Sequence, residues 1–463
     1  MFWWVLDYRP IRTTEVYDMA GAAPRLTALA EELLGTPVPV RIRAWDGSED
    51  GPPGAPALVL RHRRALRRLL WRPGELGLAR GWVAGDIDID GDLYEALDRV
   101  AGLLWERDPA DERGSGSGPN HGLRGLRGRL AALRDPRLHT AARELLVLAG
   151  PGLPPPPPRE EVRRRRGVLH SPGRDRRAVS HHYDVGNDFY ALVLGPSMVY
   201  SCAYWEDGGD LEGAQRAKLD LICRKLALRP GMRLLDVGCG WGALVLHAAR
   251  EYGVHAVGVT LSTEQAVYAR KQIAEAGLAD RVEIRVQDYR RVPDGPYDAI
   301  ASVGMAEHVG AVSYRAYAAT LYGLLRPGGR LLNHQIARRP EPAEEAYSVD
   351  AFIDAYVFPD GELAPVGSTV SLLEEAGFEV RDVEAIREHY ALTLRRWVAN
   401  LERNWPQAVR LTSPGRARVW RLYMAASALA FEHNRIGVNQ VLAVRTPGDG
   451  RSGLPLRARE WSG

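Results

Sequence analysis

The segment Asp236-Val237-Gly238-Cys239-Gly240-Trp241-Gly242 sits where a short apolar run, Leu234-Leu235-Asp236-Val237, gives way to a helical pattern from about residue 242 to 252. Glycines at such a turn let the backbone pass close to a ligand at the carboxyl end of a strand, where open α/β sheets bind nucleotides. No Lys-Ser/Thr pair follows, which excludes a phosphate-cradling loop, and the spacing departs from the dinucleotide fingerprint. An acidic residue opening the turn suits a ligand that carries an ammonium group better than it suits a pyrophosphate.

Polar residues then fall at the ends of the next two apolar runs. Thr260-Leu261-Ser262 with Gln265 stands where a ribose would lie, and Asp288-Tyr289 where an adenine amine would be held. Three such sites in chain order point to S-adenosylmethionine. Its expected contacts are Asp236, Gly238, Cys239, Gly240, Trp241, Gly242, Thr260, Leu261, Gln265, Asp288 and Tyr289; a nucleotide oxidoreductase is the competing reading.

The elements that must carry these residues are strands at 234–237, 255–259, 282–285, 297–302 and 330–334, alternating with helices. That order predicts an α/β fold, a Rossmann-like methyltransferase sheet with helices on both faces, spanning residues 180–446. Residues 1–106 read as a smaller N-terminal α+β domain with strands at 38–42 and 57–60, and residues 447–463 as a C-terminal tail. Asp86-Ile87-Asp88-Ile89-Asp90-Gly91 lacks the later ligands and closing Glu of a calcium loop and reads as an acidic turn. Residues 107–179, rich in Gly, Pro and Arg, read as a linker with one helix at about 126–148. Its basic end, Arg163 to Arg166, is compatible with anionic headgroups or with a solvated hinge.

Bulk properties narrow the class. At 463 residues the chain exceeds one ordinary core, and 45% hydrophobic with 26% charged residues is a globular composition. No apolar run approaches the roughly 20 residues of a spanning helix, and Phe2-Trp3-Trp4-Val5-Leu6 lacks the features of a signal peptide, so a cytoplasmic protein is expected. Cys202, Cys223 and Cys239 match no zinc spacing, and an odd count argues against a disulfide framework. His181-His182 and His308 have no accompanying ligand spacing, so no metal is expected. The formal charge of +3 is too small to imply nucleic-acid binding. Lysine occurs only at Lys218, Lys225 and Lys271, leaving arginine to carry nearly all the positive charge.

Further motifs accompany the glycine turn: His182-Tyr183-Asp184-Val185-Gly186-Asn187-Asp188-Phe189-Tyr190, Tyr200-Ser201-Cys202-Ala203-Tyr204-Trp205, Gly258-Val259-Thr260-Leu261-Ser262, Glu307-His308-Val309-Gly310, Tyr356-Val357-Phe358-Pro359-Asp360-Gly361 and His389-Tyr390-Ala391-Leu392-Thr393-Leu394. Over residues 180–444 the chain resembles the cyclopropane fatty acid synthase family, which methylates unsaturated acyl chains. The resemblance adds Tyr200 and Ser201 to the cofactor contacts. It also implies a bicarbonate ion beside the reacting carbon, held by Cys202, Glu307, His334, Ile336 and Tyr390. Mycolic-acid members carry a cysteine in the late helix where this chain reads Ala425-Ala426-Ser427-Ala428, so no catalytic thiol is expected there. The ending Gly453-Leu454-Pro455-Leu456-Arg457 and the Leu332-Asn333-His334 strand look like actinobacterial relatives that make 10-methylene chains, which a reductase partner then saturates.

The implied reaction sets demands on the site. An isolated alkene is a poor nucleophile and must be held in line with the sulfonium methyl. Methyl transfer leaves a carbocation that water would capture, whereas aromatic faces stabilise it by roughly 0.5 to 2 kcal/mol per ring. Tyr200, Tyr204, Trp205, Tyr356, Phe358 and Tyr390 are the candidates, and Phe352, Tyr356 and Phe358 are expected to line an apolar channel. A base must finally take a proton, giving either a cyclopropane or a methylene branch. Glu307 and His334 are assigned to orienting that base, Tyr390 and Cys202 to completing its hydrogen bonds, and bound bicarbonate or a substituting carboxylate to the base itself. Taken alone, His334 at a strand end reads as a structural histidine. The expected partner is an unsaturated phospholipid, met peripherally at the inner face of the cell membrane. Under a second reading the substrate is a soluble small molecule and the N-terminal domain serves oligomerisation, for instance as a homodimer.

Overall fold

Successive residues of a strand point to opposite faces of its sheet, and the apolar run at 234–237 uses both. Leu234 packs with Ile222, Val245, Ala248 and Ile273 on one side, while Leu235 and Val237 pack with Tyr317, Leu321, Leu331 and Val441 on the other. A strand buried on both faces must lie inside a sheet flanked by two helical layers. The computed structural model, which describes residues 21–105, 136–162, 174, 185–341 and 350–456, has that arrangement.

The chain divides into two compact units, Met1–Glu160 and Glu161–Gly463. The second holds an eight-stranded sheet of β5 (Arg233–Val237), β6 (His255–Thr260), β7 (Val282–Val286), β8 (Tyr297–Val303), β9 (Leu325–Arg338), β10 (Ala364–Pro365), β11 (Glu379–Ala385) and β12 (Ile436–Val444). The main order is β11-β12-β9-β8-β5-β6-β7, with β10 pairing β9. Strands β5 to β9 pair in parallel, and β12 runs antiparallel to both β9 and β11. Because β5 lies between β6 and β8, the strand order reverses at its carboxyl end, opening the crevice in which such sheets bind ligands. The expected strands all form, and β9 is much longer than the predicted 330–334.

The first unit contains a sheet of order β2-β1-β3-β4, formed by β1 (Arg41–Arg43), β2 (Glu49–Asp50), β3 (Ala57–Leu60) and β4 (Ile87–Asp90). Two expectations differ here. The strand predicted at 38–42 pairs only from Arg41, while Val38 and Val40 are buried outside it. The acidic stretch at 86–91 is a strand over Ile87–Asp90, and each of its carboxylates meets an arginine: Asp86 pairs with Arg64 and Arg68, Asp88 with Arg61, and Asp90 with Arg43. The helix expected in the linker is described over Pro136–Ala149. Its Leu148 and Ala149 enter the core with Ala23, Leu26 and Ile42, so this stretch is part of the first unit and not a connector. The expectations for residues 2–6, 126–135, 163–166, 181–184 and 457 lie outside the described residues.

Asp86 is fully buried and Arg68 nearly so. Asp86→Ala leaves that guanidinium uncompensated and should lower the stability of the first unit by about 3–5 kcal/mol. Asp90→Ala, on the more exposed Arg43 pair, should cost no more than about 1 kcal/mol. Hydrogen exchange of the Arg64–Trp71 helix measures both.

Candidate active site

The turn after β5 requires backbone that favours glycine, with φ of 82° at Gly238, 54° at Gly240 and 85° at Gly242. Their roles differ. A Cβ on Gly242 would stand 2.9 Å from the Ala269 methyl, so this glycine lets two helices approach, whereas a Cβ on Gly240 would project into open space. The amides of Gly238 and Cys239 both donate to the Val259 carbonyl at 3.0 Å, tying the turn to β6.

Gly238 and Gly240 border a cavity whose wall continues through Thr260, Leu261, Gln265, Asp288 and Tyr289. Seven of the cofactor contacts expected from the sequence therefore meet around one space. Thr260 donates to the Gln265 side-chain oxygen at 2.8 Å, and Ser262 caps the helix Thr263–Glu275. Burial would raise the Asp288 carboxyl, but hydrogen bonds from Arg290 outweigh it and hold the group below its ordinary value.

Four expected contacts stand elsewhere. Cys239 is turned into the core beside Gly258 and Ile284, and only its backbone belongs to the turn. The Trp241 indole donates to Asn187 at 2.8 Å and packs 4.7 Å from the Tyr190 ring centroid. Gly242 serves helix packing, as above. Asp236 lies beneath the turn with Oδ1 buried and without a hydrogen-bond partner, and loss of solvation raises its pKa to about 7. That orphaned oxygen, together with the open space before Gly240, fits a ligand bearing an ammonium group.

A second cavity shares Gly304 and His308 with the first. Tyr200, Ser201, Glu307, His334, Ile336 and Tyr390 line it, and the rest of its wall is largely apolar, with Ile353, Phe358, Leu394, Tyr423, Phe431 and Ile436. The Ile336 amide donates to Glu307 Oε1 at 2.8 Å, while Oε2 is buried without a partner. Desolvation raises the Glu307 pKa to about 7.

His334 is buried and its pKa is depressed to about 3, first by desolvation and then by Lys218 and Lys225, so the ring is neutral. Lys225 donates to Gln440 Oε1 at 2.8 Å, which orients the amide so that its nitrogen donates to His334 Nδ1 at 3.3 Å. The proton of the neutral ring then sits on Nε2, which has no partner. His334 is built to donate a hydrogen bond, not to remove a proton.

Cys202 lies outside both linings. Its thiol faces the carbonyls of Ala203 and Ile386 at 3.2 and 3.7 Å, and burial holds it well above the ordinary thiol range. Among the aromatic candidates Tyr200, Phe358 and Tyr390 line the cavity. Tyr204 instead stacks on His389, Trp205 donates to Thr393, and Tyr356 donates to Glu161 while packing on Phe352. The channel wall expected from Phe352, Tyr356 and Phe358 is thus carried by Phe358 alone.

Residues 170–441 match the family model described as Mycolic acid cyclopropane synthetase. A probable fatty acid methyltransferase of Mycobacterium tuberculosis is 41% identical over 90% of this chain and 94% of its own length. The chain belongs to this family. The cyclopropane-fatty-acyl-phospholipid synthase of Escherichia coli is 41% identical over 57% of this chain and 66% of its own. A crystal structure of the mycolic acid cyclopropane synthase CmaA1 complexed with SAH and CTAB covers 58% of this chain and 98% of its own, with 35% identity and a TM-score of 0.54.

Three cavity residues of this family member escaped the sequence reading although a signal for them exists. Tyr423, Ser427 and Phe431 recur every four residues along the helix Pro414–Glu432, the spacing of one helical face. Gln440 and Lys225 carried no comparable signal, since Gln440 meets His334 on a neighbouring strand and Lys225 reaches Gln440 from a helix.

Glu307 also predicts a pH dependence of stability. Between pH 4.5 and about 7 the folded carboxyl keeps a proton that the unfolded chain has released, so its contribution falls as pH rises through that window and is gone above it. Glu307→Gln removes this slope. The variant should be more stable than the parent above pH 7 and lose the advantage toward pH 4.5, as read by urea denaturation across pH.

Proposed function

We propose that the protein transfers the methyl carbon of S-adenosylmethionine to the double bond of an unsaturated fatty acyl chain of a phospholipid. The single observation that carries this reading is the juxtaposition of two cavities. One is lined by the glycine turn and polar strand ends; the other is apolar, with Glu307, His334 and Tyr390 grouped in its wall. A soluble polar substrate would leave the hydrocarbon wall without purpose, since buried apolar surface gains most against an apolar ligand.

When bound, the cofactor supplies an electrophilic methyl. Gly238, Gly240, Thr260 and Gln265 would hold it, and the apolar wall would keep water from the carbocation left on the acyl chain. Tyr200, Phe358, Tyr390, Tyr423 and Phe431 offer ring faces that stabilise positive charge without providing a nucleophile. We further propose bicarbonate as the base. His334 Nε2–H and a protonated Glu307 are both donors suited to an anion, and the raised proton affinity of Glu307 is what two carboxylate-like groups sharing one site require. Cys202 is left out of this shell because its thiol does not line the cavity.

Among the described residues no helix is long and apolar enough to cross a membrane. Access to phospholipid is accordingly proposed to be peripheral. A methylene product would need a separate reductase to become a methyl branch.

Purified protein with labelled S-adenosylmethionine should transfer label to vesicles of oleoyl phospholipid and add one CH₂ to the acyl mass. Ozonolysis then separates a terminal alkene from a ring. No transfer to any unsaturated phospholipid would count against the reading. Glu307→Gln and Tyr390→Phe should each lower transfer by roughly 10²- to 10⁴-fold while leaving S-adenosylhomocysteine affinity near that of the parent.

A further inference from the structure

Lysine supplies only three of the chain's 61 Lys and Arg residues, and two of these, Lys218 and Lys225, are buried. Lys225 is satisfied by Glu384 and Gln440. Lys218, on the helix Leu211–Lys225, forms no ion pair among the described residues, and its Nζ donates to the Ser201 hydroxyl at 2.9 Å. Three residues earlier on the same helix, Gln215 donates to the Ser201 carbonyl at 3.0 Å. Side chain and backbone of Ser201 are therefore both gripped from one helix face.

A buried ammonium with a single hydroxyl partner is costly to maintain and marks a place where a negative charge is expected to arrive. The field of Asp236 reaches Lys218, yet the two are not paired, and Asp236 Oδ1 is itself without a partner. Both groups are displaced toward neutrality by the loss of water, Lys218 to about 8 and Asp236 to about 7. A buried cation beside Ser201 and a buried anion beneath the glycine turn have the polarity of a site for a zwitterion. The amino-acid end of S-adenosylmethionine is one. A lysine suits this position in an arginine-rich chain because its compact point charge needs less room than a planar guanidinium.

Resting on the cofactor assignment above, we propose that Lys218 is a positioning residue for S-adenosylmethionine: it fixes the Ser201 hydroxyl in the wall of the second cavity, which shares Gly304 and His308 with the first, and its charge favours the cofactor's carboxylate there, while Asp236 beneath the glycine turn favours the ammonium through its charge. The residue acts through Ser201 and through its charge.

The test compares two ligands by calorimetry on the full chain. S-Adenosylhomocysteine carries the amino-acid end, and 5′-methylthioadenosine lacks it. Lys218→Met should weaken S-adenosylhomocysteine by about 10- to 100-fold, the loss expected for a hydrogen bond to a charged group. Affinity for 5′-methylthioadenosine should stay within about twofold. Ser201→Ala, which leaves the lysine in place, should show the same one-sided loss and decides the question where Lys218→Met does not fold. Equal weakening of both ligands would assign Lys218 to packing, and undiminished S-adenosylhomocysteine affinity would assign it no role; either overturns the proposal. A parent protein that binds neither ligand would remove the cofactor assignment beneath it.

Discussion

A carboxyl group stripped of water and given one hydrogen bond, as Glu307 is by the Ile336 amide, binds a proton near neutral pH. That condition governs the catalytic unit. It exists only while the surrounding wall excludes water, and the wall is assembled from β9, β12 and the helices Arg387–Arg403 and Pro414–Glu432. The same exclusion depresses His334, and burial elsewhere in the unit likewise raises Asp236 and leaves Lys218 with one neutral partner. A water-filled cavity would return Glu307 and His334, which line it, toward their ordinary states.

Supporting such groups takes a scaffold that cannot relax around them. The parallel core supplies it, since β5 is buried on both faces by two separate hydrophobic clusters. The glycine turn is tied to β6 through the Val259 carbonyl, and the loop bearing Glu307 is held by the Gly304 amide on the His334 carbonyl and by the Glu362 amide on the Glu307 carbonyl. Glu307, His334 and the turn are thus referred to one rigid sheet, so their separation is set by strand pairing and not by side-chain choice.

The Lys225–Gln440–His334 chain shows how a distant charge sets local chemistry. Lys225 decides which way the Gln440 amide faces, and the amide decides which ring nitrogen of His334 carries the proton. His334 thereby becomes a neutral donor. The base proposed above is an anion, and the geometry provides donors for one.

Much of this was legible in the chain. Apolar runs buried on both faces announce a parallel sheet, glycines followed by no Lys-Ser/Thr announce the cofactor class, and motif order announces the family. Element periodicity is local, so such features survive in sequence. What only the tertiary structure decided are the relations between distant residues. Cys239 and Trp241 belong to the motif yet face the core, Cys202 sits behind the cavity wall, and the carboxylates of the acidic run at 86–90 meet arginines from elsewhere in the first unit. Burial and pairing are properties of what surrounds a side chain, and for Lys218, His334 and Glu307 those surroundings come from other strands and helices.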